Sequence, residues 1–236
     1  MARSNIIIDG KGYTLQGSNA ENSKGVYSEY KENVRIRNLV VKDFDYGICV
    51  MSSTTFNITG NTVTAGRSEG EPWAEYGLLV YDSSNCSVSG NDIKNSICGI
   101  AIQNSDNNKI SENWATNNGR GIELIGSQNN LVSGNYAAEN DNGVVVENQN
   151  NKVLENTITN NNDAGIYMYS ATLNEIAGND ITNNERGMQI TICTQNSIYG
   201  NNFVDNTVQI DTQMPQTTSG TLTSRATTGA AIRQDT

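Results

Sequence analysis

Glu123 and Glu147 are the acidic pair most open to a catalytic reading. They lie 24 residues apart in a chain that repeats every 22. That places them one coil and two strand positions apart, roughly 8 Å. Carboxylates at this separation suit inverting glycoside hydrolysis, one as acid and the other as base. Any two outward acids one coil apart would meet the same condition, so the spacing alone does not single them out. The chain has no His, which removes imidazole chemistry and the commonest metal ligand. Its four cysteines, Cys49, Cys86, Cys98 and Cys193, show no CxxC spacing and read as small apolar residues. No metal site and no cofactor is expected.

Two further groups suit binding. The segment Ala65–Tyr76 interrupts the repeat and gathers Arg67, Glu69, Glu71, Trp73, Glu75 and Tyr76. An insertion in a solenoid projects from one face, and a Trp beside carboxylates suits sugar stacking with hydroxyl hydrogen bonds. It could equally fold back over its own coil. The other group is an outward strand face carrying Tyr27, Leu79, Tyr81, Ile125, Tyr167 and Tyr169. An apolar, Tyr-rich strip of that kind generally marks a surface of interaction.

The elements that position these residues follow from a repeat. Gly followed by an aliphatic residue or Met recurs at positions 25, 47, 77, 99, 121, 143, 165 and 187. All intervals are 22 except one of 30. A column of Asn at 61, 91, 113, 135, 156, 179 and 201 keeps the same beat. Within each repeat the apolar period is two, which specifies strands. One inward column runs Ile36, Ile58, Val88, Ile110, Val132, Val153, Ile176, Ile198, and another Val40, Val63, Ile93, Ala115, Ala137, Ile158, Ile181, Phe203. Three short strands per coil define an all-β, single-stranded parallel β-helix of about nine coils over residues 5–211. The crossover rule makes it right-handed. Residues 212–236 form a Ser/Thr-rich tail.

Composition agrees. With 36 Asn and 22 Gly among 236 residues, and 36% apolar content, helices are disfavoured and a thick core is out of reach. Stacked coils share a thin core that this content can fill. Asn108, Asn130, Asn151, Asn174 and Asn196 point inward and form an asparagine ladder, continued by Val34, Phe56 and Cys86. Asn117, Asn118, Asn161, Asn162, Asn183 and Asn184 fit tight corners, where Asn tolerates the left-handed backbone. A net charge of −10 argues against nucleic-acid partners. No run is long enough to insert in a membrane.

Segments such as Ser89-Gly90-Asn91-Asp92-Ile93 before Cys98-Gly99-Ile100, and the opening Ile6-Ile7-Ile8-Asp9-Gly10, resemble the β-helix repeats of the NosD-like, carbohydrate-binding and sugar-hydrolase superfamily. In style they are similar to archaeal surface proteins. The resemblance implies the fold more strongly than a function, because that superfamily mixes lyases, hydrolases, epimerases, sheath proteins and adhesins. Its copper association finds no His or Met/Cys cluster here. Neither the Asp-Asp cluster of polygalacturonases nor a pectate-lyase calcium site is present, and the His common in related epimerases is absent.

The end coils have no evident capping helix, and open strand edges invite stacking. No leader is read at the start of the chain. The expected function is a non-enzymatic extracellular or cell-surface module that self-assembles or binds glycan through the Tyr-rich face. Its partners are then other copies of itself or polysaccharide. The alternative is a polysaccharide-active hydrolase, lyase or epimerase on the same face.

Overall fold

The computed structural model describes residues 3–65 and 74–213, together with the backbone of short strands at 222–223 and 233–234. The chain winds as an all-β solenoid of about nine turns, with three strands per turn stacking into three parallel sheets of 10, 9 and 10 strands. The first sheet contains Arg35–Arg37, Asn57–Thr59 and Ser87–Ser89, and the second Val40–Lys42, Thr62–Thr64 and Asp92–Lys94. The third holds the longest strands, among them Ala74–Tyr81, Ser96–Gln103 and Asn142–Gln149. At the far end Leu222–Thr223 pairs with Ile198 and Tyr199, and Arg233–Gln234 pairs with Asp211 and Thr212.

Register within each sheet is set by the inward aliphatics. Ile36, Ile58, Val88, Ile110, Val132, Val153 and Ile176 are fully enclosed, as are Val63, Ile93, Ile158 and Ile181. Burying each such side chain contributes about 1.5–3 kcal/mol. Slipping by one residue would turn a whole strand's apolar set outward. One member of the second column differs from the sequence reading. Val41 pairs with Val63 and is enclosed, while Val40 pairs with Thr62.

Three single-file asparagine ladders line the inside of the corners. The expected one runs from Asn108 to Asn196: each backbone N–H donates to the amide oxygen of the Asn one coil on, at 2.8–3.0 Å. Val34, Phe56 and Cys86 continue it as buried apolar residues. A second ladder comprises Asn61, Asn91, Asn113, Asn135, Asn156, Asn179 and Asn201, in which the side-chain amides also donate to one another. The third comprises Asn118, Asn140, Asn161, Asn184 and Asn206. Asn118, Asn161 and Asn184 are therefore ladder members rather than corner residues. Their neighbours Asn117 and Asn183 take the left-handed corners at φ 54° and 56°. The logic is common to all three: strand pairing lapses at each bend, and a buried backbone carbonyl left there needs a donor. The Asn amide supplies it, as Asn135 does to Ile110 O and Ser133 O. A shorter serine column, Ser53, Ser83, Ser105 and Ser127, does the same, each hydroxyl donating to the carbonyl two residues before it. Ser83, Ser105 and Ser127 in turn accept from the backbone N–H of the serine one coil back.

Candidate functional site

The outer face of the third sheet carries most of the residues singled out by sequence. Strand register aligns Tyr27, Cys49, Leu79, Ala101, Glu123, Val145, Tyr167, Gln189 and Asp211 in one column. Beside it run Glu29, Met51, Tyr81, Gln103 and Ile125, and further on Glu147 pairs with Tyr169. The residue preceding each glycine adds a third column containing Lys24, Tyr46, Tyr76, Cys98 and Arg120.

This face is layered. Cys49, Leu79, Cys98 and Ala101 form a buried floor, and Tyr27, Tyr46, Met51, Tyr76 and Tyr81 pack over it. Leu79, expected on the accessible face, belongs to that floor. Burial pushes the Cys49 thiol up to about 11, so it packs as an uncharged group. Tyr46 and Tyr76 lie with ring centroids 5.6 Å apart, and the Lys24 ammonium sits 4.8 Å from the Tyr46 centroid. Tyr27 donates to Glu29 at 2.6 Å, and this bond, with burial and the Glu29 charge, lifts its hydroxyl to about 12. A second aromatic pair, Tyr167 and Tyr169, lies further along at 6.4 Å. Four coil steps separate Leu79 from Tyr167, roughly 19 Å along the axis.

Between the two tyrosine sets lies a polar stretch centred on Glu123. Although it sits on the outer side of the sheet, Glu123 is 1% exposed. Arg120 donates to one carboxylate oxygen, and Gln103 Nε2 donates to the other at 2.9 Å. Gln103 also reaches the Tyr76 hydroxyl at 3.2 Å. The pairing with Arg120 and Gln103 meets the need of a buried carboxylate for a compensating charge and hydrogen bonds. Both oxygens are engaged, so Glu123 is not poised as a free acid or base. Glu147 is different: burial raises its carboxyl above the ordinary range, the Glu123 charge raises it further, and Arg120 opposes both. The structure thus places the two glutamates in one electrostatic neighbourhood, with Arg120 bound to the first.

Arg120 was not legible as a site residue. Strand alternation would direct the residue before the glycine inward, whereas the glycine bend turns this column outward. The only sequence signal is the three-residue spacing from Glu123. Ile125 is half-buried at the edge of the face. Of the insertion, Arg67, Glu69, Glu71, Trp73 and the side chain of Glu75 lie outside the described residues. Tyr76 does not belong to a loop; it lies in the strand Ala74–Tyr81 and faces Tyr46. An aromatic pair unforeseen from sequence, the exposed Trp114 and the half-buried Tyr136, stands on the second sheet at 4.6 Å.

A family model described as periplasmic copper-binding protein (NosD) matches residues 1–136 and 70–235. No curated protein matches the chain. Among solved structures, the Azotobacter vinelandii mannuronan C-5 epimerase AlgE4 A-module is 15% identical, with a TM-score of 0.67 over 85% of this chain and 63% of its own. The periplasmic alginate epimerase AlgG is 18% identical, with a TM-score of 0.68 over 84% of this chain and 50% of its own. The tailspike protein of E. coli bacteriophage HK620, solved in complex with pentasaccharide, is 12% identical, with a TM-score of 0.62 over 95% of this chain and 53% of its own. These likenesses show a shared fold, and the chain spans between half and two thirds of those structures. Among the described residues no helix is long and apolar enough to cross a membrane.

The copper in the family's description calls for converging thiolate, thioether or imidazole donors. The residues described here do not fit it. There is no His, Met168 and Met188 are buried in the core, and no three His, Cys, Asp or Glu gather among the described residues. Cys49 and Cys98 share a cluster but stand two coils apart, roughly 10 Å along the axis, and three strand positions apart across it. The donor set therefore departs from the family's description while the repeat does not. Matched by that model along nearly its whole length, as two overlapping stretches of one continuous solenoid, the chain belongs to the NosD family.

Proposed function

We propose that this chain is a non-catalytic, extracytoplasmic β-helix module that binds glycan along the outer face of its third sheet. The observation that carries this reading is the spacing of two tyrosine sets, Tyr76/Tyr81 and Tyr167/Tyr169, on either side of the Gln103–Arg120–Glu123–Glu147 stretch. Aromatic faces stack on the apolar faces of sugars, and amide, hydroxyl and carboxylate groups between them hydrogen-bond the hydroxyls. The tyrosines near the insertion rest on a buried floor, which limits the ordering cost on binding. The fold is shared with polysaccharide epimerases and with a tailspike solved with a pentasaccharide, which supports the same class of ligand.

Self-assembly through this face is the weaker reading. It needs accessible apolar area, and Cys49, Leu79, Ala101 and Val145 are all buried. Catalysis on the same face has one observation in its favour, the raised carboxyl of Glu147.

Affinity electrophoresis through gels containing a panel of polysaccharides tests the proposal. The wild type is expected to be retarded by at least one polymer. Tyr81→Ala and Tyr167→Ala should each weaken binding about two- to tenfold, the equivalent of about 0.5–1.5 kcal/mol for an aromatic contact. Trp114→Ala, on the second sheet, should leave it unchanged. Loss of retardation in the Trp114 variant alone would move the site off this face. Reducing-sugar release by the wild type, abolished by Glu147→Gln, would instead establish catalysis.

A further inference from the structure

The charges on the same face narrow the ligand class, an inference that rests on the glycan-binding reading. Among the residues whose side chains are described, its columns carry three cations, Lys24, Arg120 and Arg186, and four carboxylates, Glu29, Glu123, Glu147 and Asp211, and Arg233 stands in register beside Asp211. Lys24, Arg120 and Arg186 are already engaged. Lys24 Nζ donates to Asn22 O at 3.2 Å and lies over the Tyr46 ring. Arg120 pairs with Glu123. Arg186 bridges Asp163 and Asp211, the latter at 3.2 Å through Nε.

We infer that the third-sheet face binds a neutral, hydroxyl-rich glycan and discriminates against polyuronates. A polyuronate presents a carboxylate on every sugar, and recognising it calls for unpaired guanidinium or ammonium groups, ideally the bidentate fork of Arg. Here the guanidiniums of Arg120 and Arg186 are spent on protein carboxylates. The chain as a whole carries −10, so long-range steering also opposes an anionic polymer. A neutral glycan meets no such barrier. Its hydroxyls can donate to Glu147 and exchange hydrogen bonds with the tyrosines and Gln103, and its apolar faces can stack on Tyr81 and Tyr167. The specificity inferred is therefore opposite in charge class to that of the mannuronan epimerases whose fold this chain shares.

The test compares retardation in gels containing galactomannan, β-1,3-glucan or dextran with gels containing alginate or polygalacturonate, each at low salt and at about 0.15 M, where the screening length is about 8 Å. The expected result is retardation by a neutral polymer that salt leaves unchanged, and none by either polyuronate. Retardation by alginate or polygalacturonate that weakens with salt would overturn the inference while leaving glycan binding in place. Absence of retardation by every polymer would overturn both. A second variant probes the cause. Asp163→Asn combined with Asp211→Asn alters surface carboxylates and frees Arg186, and it should acquire salt-sensitive retardation by alginate that the parent lacks. If the freed guanidinium brings no such gain, charge compensation is not what excludes uronates.

Discussion

Asn118→Ala should destabilise the fold by about 3–5 kcal/mol, whereas Asn117→Gly, one residue away, should leave stability almost unchanged. The two asparagines are adjacent in sequence and opposite in role. Asn118 is buried in the third ladder: it accepts from Ser96 N at 3.0 Å and donates to Ile93 O at 3.3 Å and to Asn140 Oδ1 at 3.1 Å. Truncation leaves Ser96 N and Ile93 O without their side-chain partner inside the core and removes a donor from Asn140. Each buried group so orphaned costs about 1–3 kcal/mol. Asn117 is exposed, with φ 54°, a conformation that glycine adopts freely. Chemical denaturation of both variants gives the comparison directly. Equal costs would mean that the ladder is incidental to stability. Against a typical total of about 5–15 kcal/mol, the expected loss is large enough to threaten folding altogether. Because each coil contacts only its neighbours, the damage should centre on the coils of Asn118 and Asn140.

Gly121→Ala is expected to cost about 3 kcal/mol or more, the upper end for overpacking a site that cannot relax. A Cβ built there would stand 2.5 Å from Gly143 O and 2.8 Å from Asn140 Nδ2. The first is backbone of the next coil, held by its own strand pairing, and the second is a ladder amide, so neither can move independently. Gly134 makes a useful contrast. Its φ of 64° strains any L-residue, but the nearest atom to a Cβ is 4.0 Å away. Gly134→Ala should therefore cost only about 1–2 kcal/mol, the ordinary penalty of a left-handed backbone. Thermal unfolding of the two variants separates them. A small loss at Gly121, comparable with that at Gly134, would show that the coils can part locally, contrary to the tight stacking argued from the glycine column.

The fold could be read from sequence because a parallel solenoid writes its period twice, once in the glycines and once in the asparagines, and alternation within each strand fixes which residues face inward. That alternation fails at the corners. A left-handed residue restarts the count, which is why the Asn61–Asn201 column looked like a marker of the beat when it is a buried ladder. The same failure made Asn118, Asn161 and Asn184 look like corner residues and displaced Val41 by one position. The candidate face was legible as a column of tyrosines, but its electrostatics were not. Nothing in the spacing of Glu123 and Glu147 reveals that Arg120 and Gln103 occupy both oxygens of Glu123. Leu79 likewise resembles an accessible apolar residue until the tyrosines packed over the floor are seen.

The claim that the third-sheet face holds the glycan is tested most directly by hydroxyl-radical footprinting of the tyrosines and tryptophans, with and without a saturating neutral polysaccharide that retards the protein. The account predicts that Tyr81, Tyr167 and Tyr169 become protected, while the exposed Tyr13, Trp114 and Tyr199 react as before. Protection confined to Trp114 or Tyr199, with Tyr81, Tyr167 and Tyr169 unchanged, would contradict it.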